Sequence, residues 1–251
     1  MNPLTPREAR LLFALVALAL LAVFAPPLAQ PGHYTHFADT RAWLGIPNAL
    51  DVLSNMPFVL AGALGLLALA RVPAAVPGTA QRQLAGLFFA GLLLTAAASV
   101  WFHWQPDGPG LVVDRLGMTV AFAGVLGLGV AGHVSARAGL LLALLVLLCG
   151  PLAVEVWATS ANLLPWAVLQ GGGMALLVVL AFAPAQPGAL PVRWGVLIAI
   201  YAVAKGLELA DHAVFDLSGH WVSGHSLKHA VAALAAWPVL SALRTVGQNQ
   251  Q

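Results

Sequence analysis

Two histidines four residues apart, His225-Ser-Leu-Lys-His229, stand near the end of this 251-residue chain. On a helix that spacing puts both imidazoles on one face, where they can share one metal ion, as in the helical His-x-x-x-His half of zinc proteases. Alone the pattern is weak, since such pairs also arise by chance or from packing. Two other segments add to it. Ser99-Val-Trp-Phe-His103 again pairs positions i and i+4, and Asp114 follows across a short Pro/Gly turn. His103 would be the third ligand beside His225 and His229, leaving one coordination position for water or substrate. That open arrangement belongs to a catalytic zinc. A closed structural site would need a set of cysteines, and the chain has only Cys149.

The elements that must position these residues are membrane helices. Sixty per cent of the residues are hydrophobic and 8% are charged, against roughly 25% charged in a soluble domain. A soluble fold of this size could not hide that much apolar surface, so the expected solvent is lipid. Eight apolar segments can be read, over roughly 10–29, 51–70, 84–104, 112–132, 138–157, 163–183, 194–214 and 225–245, separated by Pro, Gly and polar residues. No strand-like alternation competes. The expected fold is all-α, a polytopic membrane helix bundle with a seven-helix core (31–251) plus one N-terminal transmembrane helix (1–30). That first segment also reads as signal-like, because Arg7 and Arg10 precede an apolar run that ends in Ala25-Pro-Pro-Leu-Ala29.

Charge divides the helix ends into two sets. Arg7, Arg10, Arg71, Arg82, Arg137, Arg193 and Arg244 fall at one face, and the positive-inside rule places that face in the cytoplasm. The basic residues are scattered singly at the ends of apolar runs, so no nucleic acid partner is expected. Acidic residues and histidines sort to the opposite, extracytoplasmic face, leaving only Glu8 and His133 behind. Avoidance of the cytoplasm could explain loop residues such as Asp39, Asp107 and Asp216. It does not explain Asp114, His103, His225 and His229, which sit at or inside span ends where desolvation is costly.

Ser99-x-x-x-His103, Asp114 and His225-x-x-x-His229, in this order, resemble the pattern of the alkaline ceramidases. These are seven-helix zinc amidases of a superfamily that also holds adiponectin/progestin-type receptors. Asn48-Ala-Leu-Asp-Val-Leu-Ser-Asn55-Met-Pro57-Phe58 is similar to a family segment, and so is Leu207-Glu-Leu-Ala-Asp211. The resemblance covers about residues 37–245. It implies Zn2+ on His103, His225 and His229, with Asp114 taking the proton of the attacking water and Ser99 stabilising the oxyanion or completing the polar shell. The implied activity is zinc-dependent hydrolysis of a linear amide in a membrane lipid, ceramide or another N-acyl lipid. The chain departs from the family where His33-Tyr-Thr-His-Phe-Ala-Asp39-Thr-Arg-Ala-Trp43 replaces an acidic calcium-binding stretch. No calcium is expected, and the ceramide head group is in doubt.

Two other classes stay open. A receptor-like or regulatory protein could use the same zinc bundle structurally. A metal or proton transporter would need polar residues through the whole span, and the cytoplasmic half is almost purely apolar. Among other polar residues, Glu155 and Gln170 could shape a pocket, although Gln170 beside Gly171-Gly172-Gly173 reads better as close helix packing. Gly150-Pro151 reads as a kink. Glu208, Asp211 and His212 could support a ligand or pair with Lys228. His33, His36 and His220 read as loop residues. Trp43, Trp101, Trp104, Trp157, Trp166 and Trp221 read as an interfacial belt and not as a stacking site.

Overall fold

The computed structural model describes residues 3–30, 36–73 and 77–248; His33 lies outside them. The described chain is helical, with isolated β-bridges in place of strands. Helix α1 (Pro6–Phe24) opens on a capping box between Thr5 and Glu8. It stops at Ala25, whose extended backbone leads into Pro26-Pro27. The helix therefore begins and ends several residues earlier than hydropathy alone suggested. Helices α2 (Ala49–Leu53) and α3 (Met56–Arg71) follow, separated at Ser54-Asn55 just ahead of Pro57.

Three long helices come next: α4 (Thr79–Trp104), α5 (Gly108–His133) and α6 (Ala136–Ser160). At 25 or 26 residues each, they run roughly 38–39 Å, more than the hydrocarbon core needs. Asp107 caps α5 through the Gly110 N–H, and Ser135 caps α6 through the Ala138 N–H. The α4–α5 seam is a backbone contact. A Cβ on Gly91 would lie 2.3 Å from the Ala121 nitrogen, and one on Gly124 would lie 2.2 Å from the Phe88 nitrogen. Only glycine permits that approach. The short connection between α4 and α5 brings His103, in the last turn of one, beside the first turns of the other, where Asp114 sits.

The chain continues through α7 (Leu164–Ala181), α8 (Trp194–Leu209), α9 (Asp211–Leu217), α10 (Gly224–Leu234) and α11 (Trp237–Gln248). The expected single span over 194–214 is broken at Ala210, and that over 225–245 at Ala235-Ala236, ahead of Pro238. Helix α6 runs unbroken through Pro151. Beside it, Gly150 is the place where Thr119 of α5 packs, its Cγ2 2.2 Å from where a Cβ would stand.

Among the described residues six helices, counting α2–α3 and α10–α11 as one each, are long and apolar enough to cross a membrane. Leu64, Leu141, Leu148, Leu152 and Val179 point outward and exposed from them, an arrangement suited to lipid as solvent. Helix α1 carries Arg7, Glu8 and Arg10 in its first turns, and α8 has only 16 residues. Helix α1 is nonetheless tied to the bundle. Arg137 donates to both Glu8 oxygens at 2.7 and 2.6 Å, and Arg7 donates to the His133 and Pro184 carbonyls. Beyond its far end the Leu28 N–H donates to Asn162, and the Leu163 N–H donates back to the Leu28 carbonyl.

Candidate metal centre

His225 and His229 stand on the first turns of α10, and the structure brings His103 to them. All three are buried, and one ligand atom from each lies within 4.8 Å of the others. The ring centroids form a near-equilateral triangle, 4.9 Å between His103 and His225, 5.0 Å between His103 and His229, and 4.9 Å between His225 and His229. The Nε2 atoms of His103 and His225 face each other at 3.2 Å. Two imidazoles on one tetrahedral zinc put their nitrogens about 3.3 Å apart, given metal–nitrogen bonds of about 2.0–2.1 Å.

The surroundings fix how these rings present themselves. Ser54, at the α2–α3 break, donates its hydroxyl hydrogen to the Asp51 carbonyl at 3.1 Å, so its oxygen accepts from His229 Nδ1 at 2.8 Å. That leaves Nε2 of His229 as the lone-pair nitrogen, the usual way an outer hydrogen bond selects the tautomer of a ligand. Asp211, at the α8–α9 break, accepts from the His225 backbone N–H at 2.7 Å and from the Ala38 N–H at 2.9 Å. Ser226 donates to the fully buried Asp51 carboxylate at 2.6 Å. Phe37 closes the site edgewise, its centroid 4.6 Å from His225 and 4.9 Å from His103. Helix α10 can sit this close because residue 224 is glycine: a Cβ there would lie 2.3 Å from the Leu207 carbonyl oxygen.

The donor set fits a divalent metal. One nitrogen of His103 meets His225, while Nδ1 is buried with no hydrogen-bond partner among the described residues. The described residues alone do not satisfy this ring. The carboxylates of Asp51, Asp114 and Asp211 stand ready as countercharge to a dication held by neutral imidazoles.

On one side His225 and His229 border a cavity of about 100 Å³, lined also by Ser99, Asp114, Arg115 and Glu208. Ser99 and Asp114 line it together, and the Ser99 side chain interacts with the Asp114 carboxylate. Trp166, Gln170, Tyr201 and Lys205 line both this cavity and a wider groove between α7 and α8.

Several expectations need correction. Trp166 is buried and lines the cavity, and Trp157 lies under Arg115, whose guanidinium carbon is 3.8 Å from the ring centre. Trp43, Trp101, Trp104 and Trp221 are exposed, as a belt requires. Gln170 lines the cavity; it is the neighbouring Gly172 and Gly173 that pack, against Leu18 and Leu126. Glu155 is exposed and forms no part of the cavity wall. Glu208 accepts from Lys228 at 3.1 Å and also pairs with Lys205. Asp211 supports the backbone of a ligand residue and not its imidazole. His212 stays at the rim, bonded to the His36 carbonyl, and His36 and His220 are exposed.

Sequence reasoning missed Phe37, Ser54, Ser226 and the bridging role of Asp51. The spacing Asp51, Ser54, Asn55 was a usable signal, because i, i+3 and i+4 share a helix face. Phe37 carried none. At the rim, Asp39 is buried and gripped by Arg41 through bonds of 2.7 and 2.6 Å. Burial acts to raise the Asp39 carboxyl pKa, and the Arg41 bonds outweigh it and hold it below the ordinary carboxylate value.

No family model and no curated protein matches this chain.

Proposed function

We propose that the chain is a zinc-dependent intramembrane hydrolase of acyl amides, with a lipid as substrate. One observation carries this reading. Three buried imidazoles converge next to Ser99 and Asp114, at a cavity that shares lining residues with a groove between α7 and α8. A structural metal site has no use for such an opening. The order of the site residues also resembles that of the alkaline ceramidases, which favours zinc over other metals and ceramide or another N-acyl lipid as the substrate class. On the same reading the bundle has seven core helices, with α8–α9 completing the set, and α1 crosses the membrane as an eighth. The basic residues place the metal end outside the cytoplasm.

Each side chain then has a task. His103, His225 and His229 hold the metal, with Ser54 setting the His229 tautomer. A zinc ion bound there would act as a Lewis acid on the amide carbonyl and acidify water. Asp114 accepts the proton of the attacking water and can return it to the departing amine. Ser99 holds the Asp114 carboxylate in place, and must turn its hydroxyl away from Asp114 to assist an oxyanion. Acyl chains enter from the bilayer between α7 and α8, past Trp166 and Tyr201. Phe37 keeps bulk water from the imidazoles on the side facing the loops.

The test joins metal analysis of the purified protein with a mass-spectrometric screen of N-acyl lipids for fatty acid release. The reading requires about one zinc per chain and metal-dependent release from at least one acyl amide. Stoichiometric metal with no turnover on any of them would favour the receptor-like use of the same bundle.

A further inference from the structure

We propose that Gln170 selects the acyl half of the substrate, favouring chains that carry a hydroxyl group on one of the first carbons after the carbonyl. This deepens the proposed function and rests on the cavity holding the reacting amide, with the acyl chain in the α7–α8 groove.

Gln170 stands apart from its polar neighbours in the cavity wall. Thr95 donates to the Gly91 carbonyl at 2.8 Å, Ser99 interacts with Asp114, and Glu208 pairs with Lys205 and Lys228. The half-buried carboxamide of Gln170 has no hydrogen-bond partner among the described residues. It lies about 9 Å along α7 from the helix start at Leu164, inside a span where the bilayer supplies no water to answer it. A polar group left unmatched there is costly. Close helix packing does not account for it, because Gly172 and Gly173 make those contacts, against Leu18 and Leu126.

Position decides which part of a substrate meets this carboxamide. Gln170 lines both the cavity and the groove. Trp166, four residues earlier on the same face of α7, stands nearer the metal end. Beyond the shared residues the groove wall is apolar, with Gly171, Met174, Ala175 and Ala202, and nothing lies within 4 Å of a Cβ on Gly171. An acyl chain whose amide sits at the metal therefore passes Gln170 first and the apolar wall afterwards. Its outer carbons suit a plain alkyl chain. Its first carbons do not, since methylenes would leave the carboxamide without a partner. A hydroxyl is donor and acceptor at once, so it can accept from Nε2 or donate to Oε1 whichever way the carboxamide is turned. A site built to hydrogen-bond a substrate hydroxyl rejects the analogue that lacks it.

The experiment uses the full-length, zinc-loaded protein in detergent micelles. It measures binding of N-(2-hydroxyhexadecanoyl)ethanolamine and N-(3-hydroxyhexadecanoyl)ethanolamine against N-hexadecanoylethanolamine, and follows fatty acid release separately by mass spectrometry. Wild-type protein should bind at least one hydroxylated lipid about tenfold or more tightly than the plain one. The arm that shows the preference tells which carbon carries the hydroxyl. Gln170→Met keeps the length and removes the polar atoms. It should bring the ratio to about one while affinity for the plain chain and the melting temperature hold, because no hydrogen bond within the protein is lost. Gln170→Asn withdraws the carboxamide by one methylene and should also lower the ratio, which carries the test if Gln170→Met does not fold. A wild-type ratio near one in both arms, or a ratio untouched by both substitutions, overturns the assignment. A lower melting temperature in Gln170→Met with the ratio unchanged would return Gln170 to helix packing. Preference in binding without fatty acid release would leave Gln170 as assigned and remove the hydrolase. Equal binding and equal release from all three lipids would keep the hydrolase and remove the assignment.

Discussion

His225 and Asp114 border the same cavity yet should fail differently when changed. His225→Ala leaves two imidazoles, a poor site, so bound metal and turnover should disappear together. Asp114→Asn keeps size and hydrogen bonding while removing the proton acceptor. Metal content should survive, and turnover should fall by roughly 10²–10⁴-fold. Ser99→Ala removes a partner of Asp114 and should cost less, roughly 10–10³-fold with metal retained. Zinc analysis and rates on the same folded preparations separate these outcomes, and full turnover in Asp114→Asn would refute the assigned mechanism. Metal removal gives an independent check. A ligand that binds only the native state stabilises it by mass action, so a strong chelator should lower the melting temperature of wild type and leave that of His225→Ala almost unmoved.

The α4–α5 seam and the short connection after it set the distance between His103 and Asp114. Gly124→Leu would push α5 off the Phe88 backbone, and overpacking of this kind costs about 1–3 kcal/mol or more. Because α4 carries a ligand and α5 the carboxylate, metal affinity should fall with thermal stability. Gly195→Ala is the control: nothing lies within 4 Å of a Cβ there, and a helical alanine should hold or slightly raise the melting point. Scanning melts of the three proteins decide the point. The long helices were legible because apolar runs of span length, punctuated by Pro and Gly, have few other solutions. Their breaks at Ser54-Asn55 and Ala210 were not, since hydropathy averages over a turn. Those breaks deliver Ser54 and Asp211 to the site. The histidine triad was legible from i, i+4 spacing on separate spans, whereas the stacking of Arg115 on Trp157 joins residues far apart in sequence and follows only from packing.

At the scale of the whole molecule the two ends differ in kind. One end gathers Arg7, Arg137 and Glu8 into bonds that lock α1 to the start of α6, with Arg82 holding the Leu69 and Val72 carbonyls nearby. The other end holds the imidazoles, the carboxylates and the exposed tryptophans. Lys and Arg at span ends favour the cytoplasm, so the metal end should face outward and any lipid reached through the α7–α8 groove should come from the outer leaflet. Cysteine labelling tests this with little interference, because Cys149 is the only native thiol and can be removed as Cys149→Ala. In that background Thr40→Cys and Asp216→Cys, both exposed at the metal end, should react with an impermeant maleimide added to intact cells. Ala185→Cys, exposed at the arginine end, should react only after the membrane is opened. The reverse pattern would turn the protein over. The metal site would then open towards the cytoplasm, and the substrate would have to come from the inner leaflet.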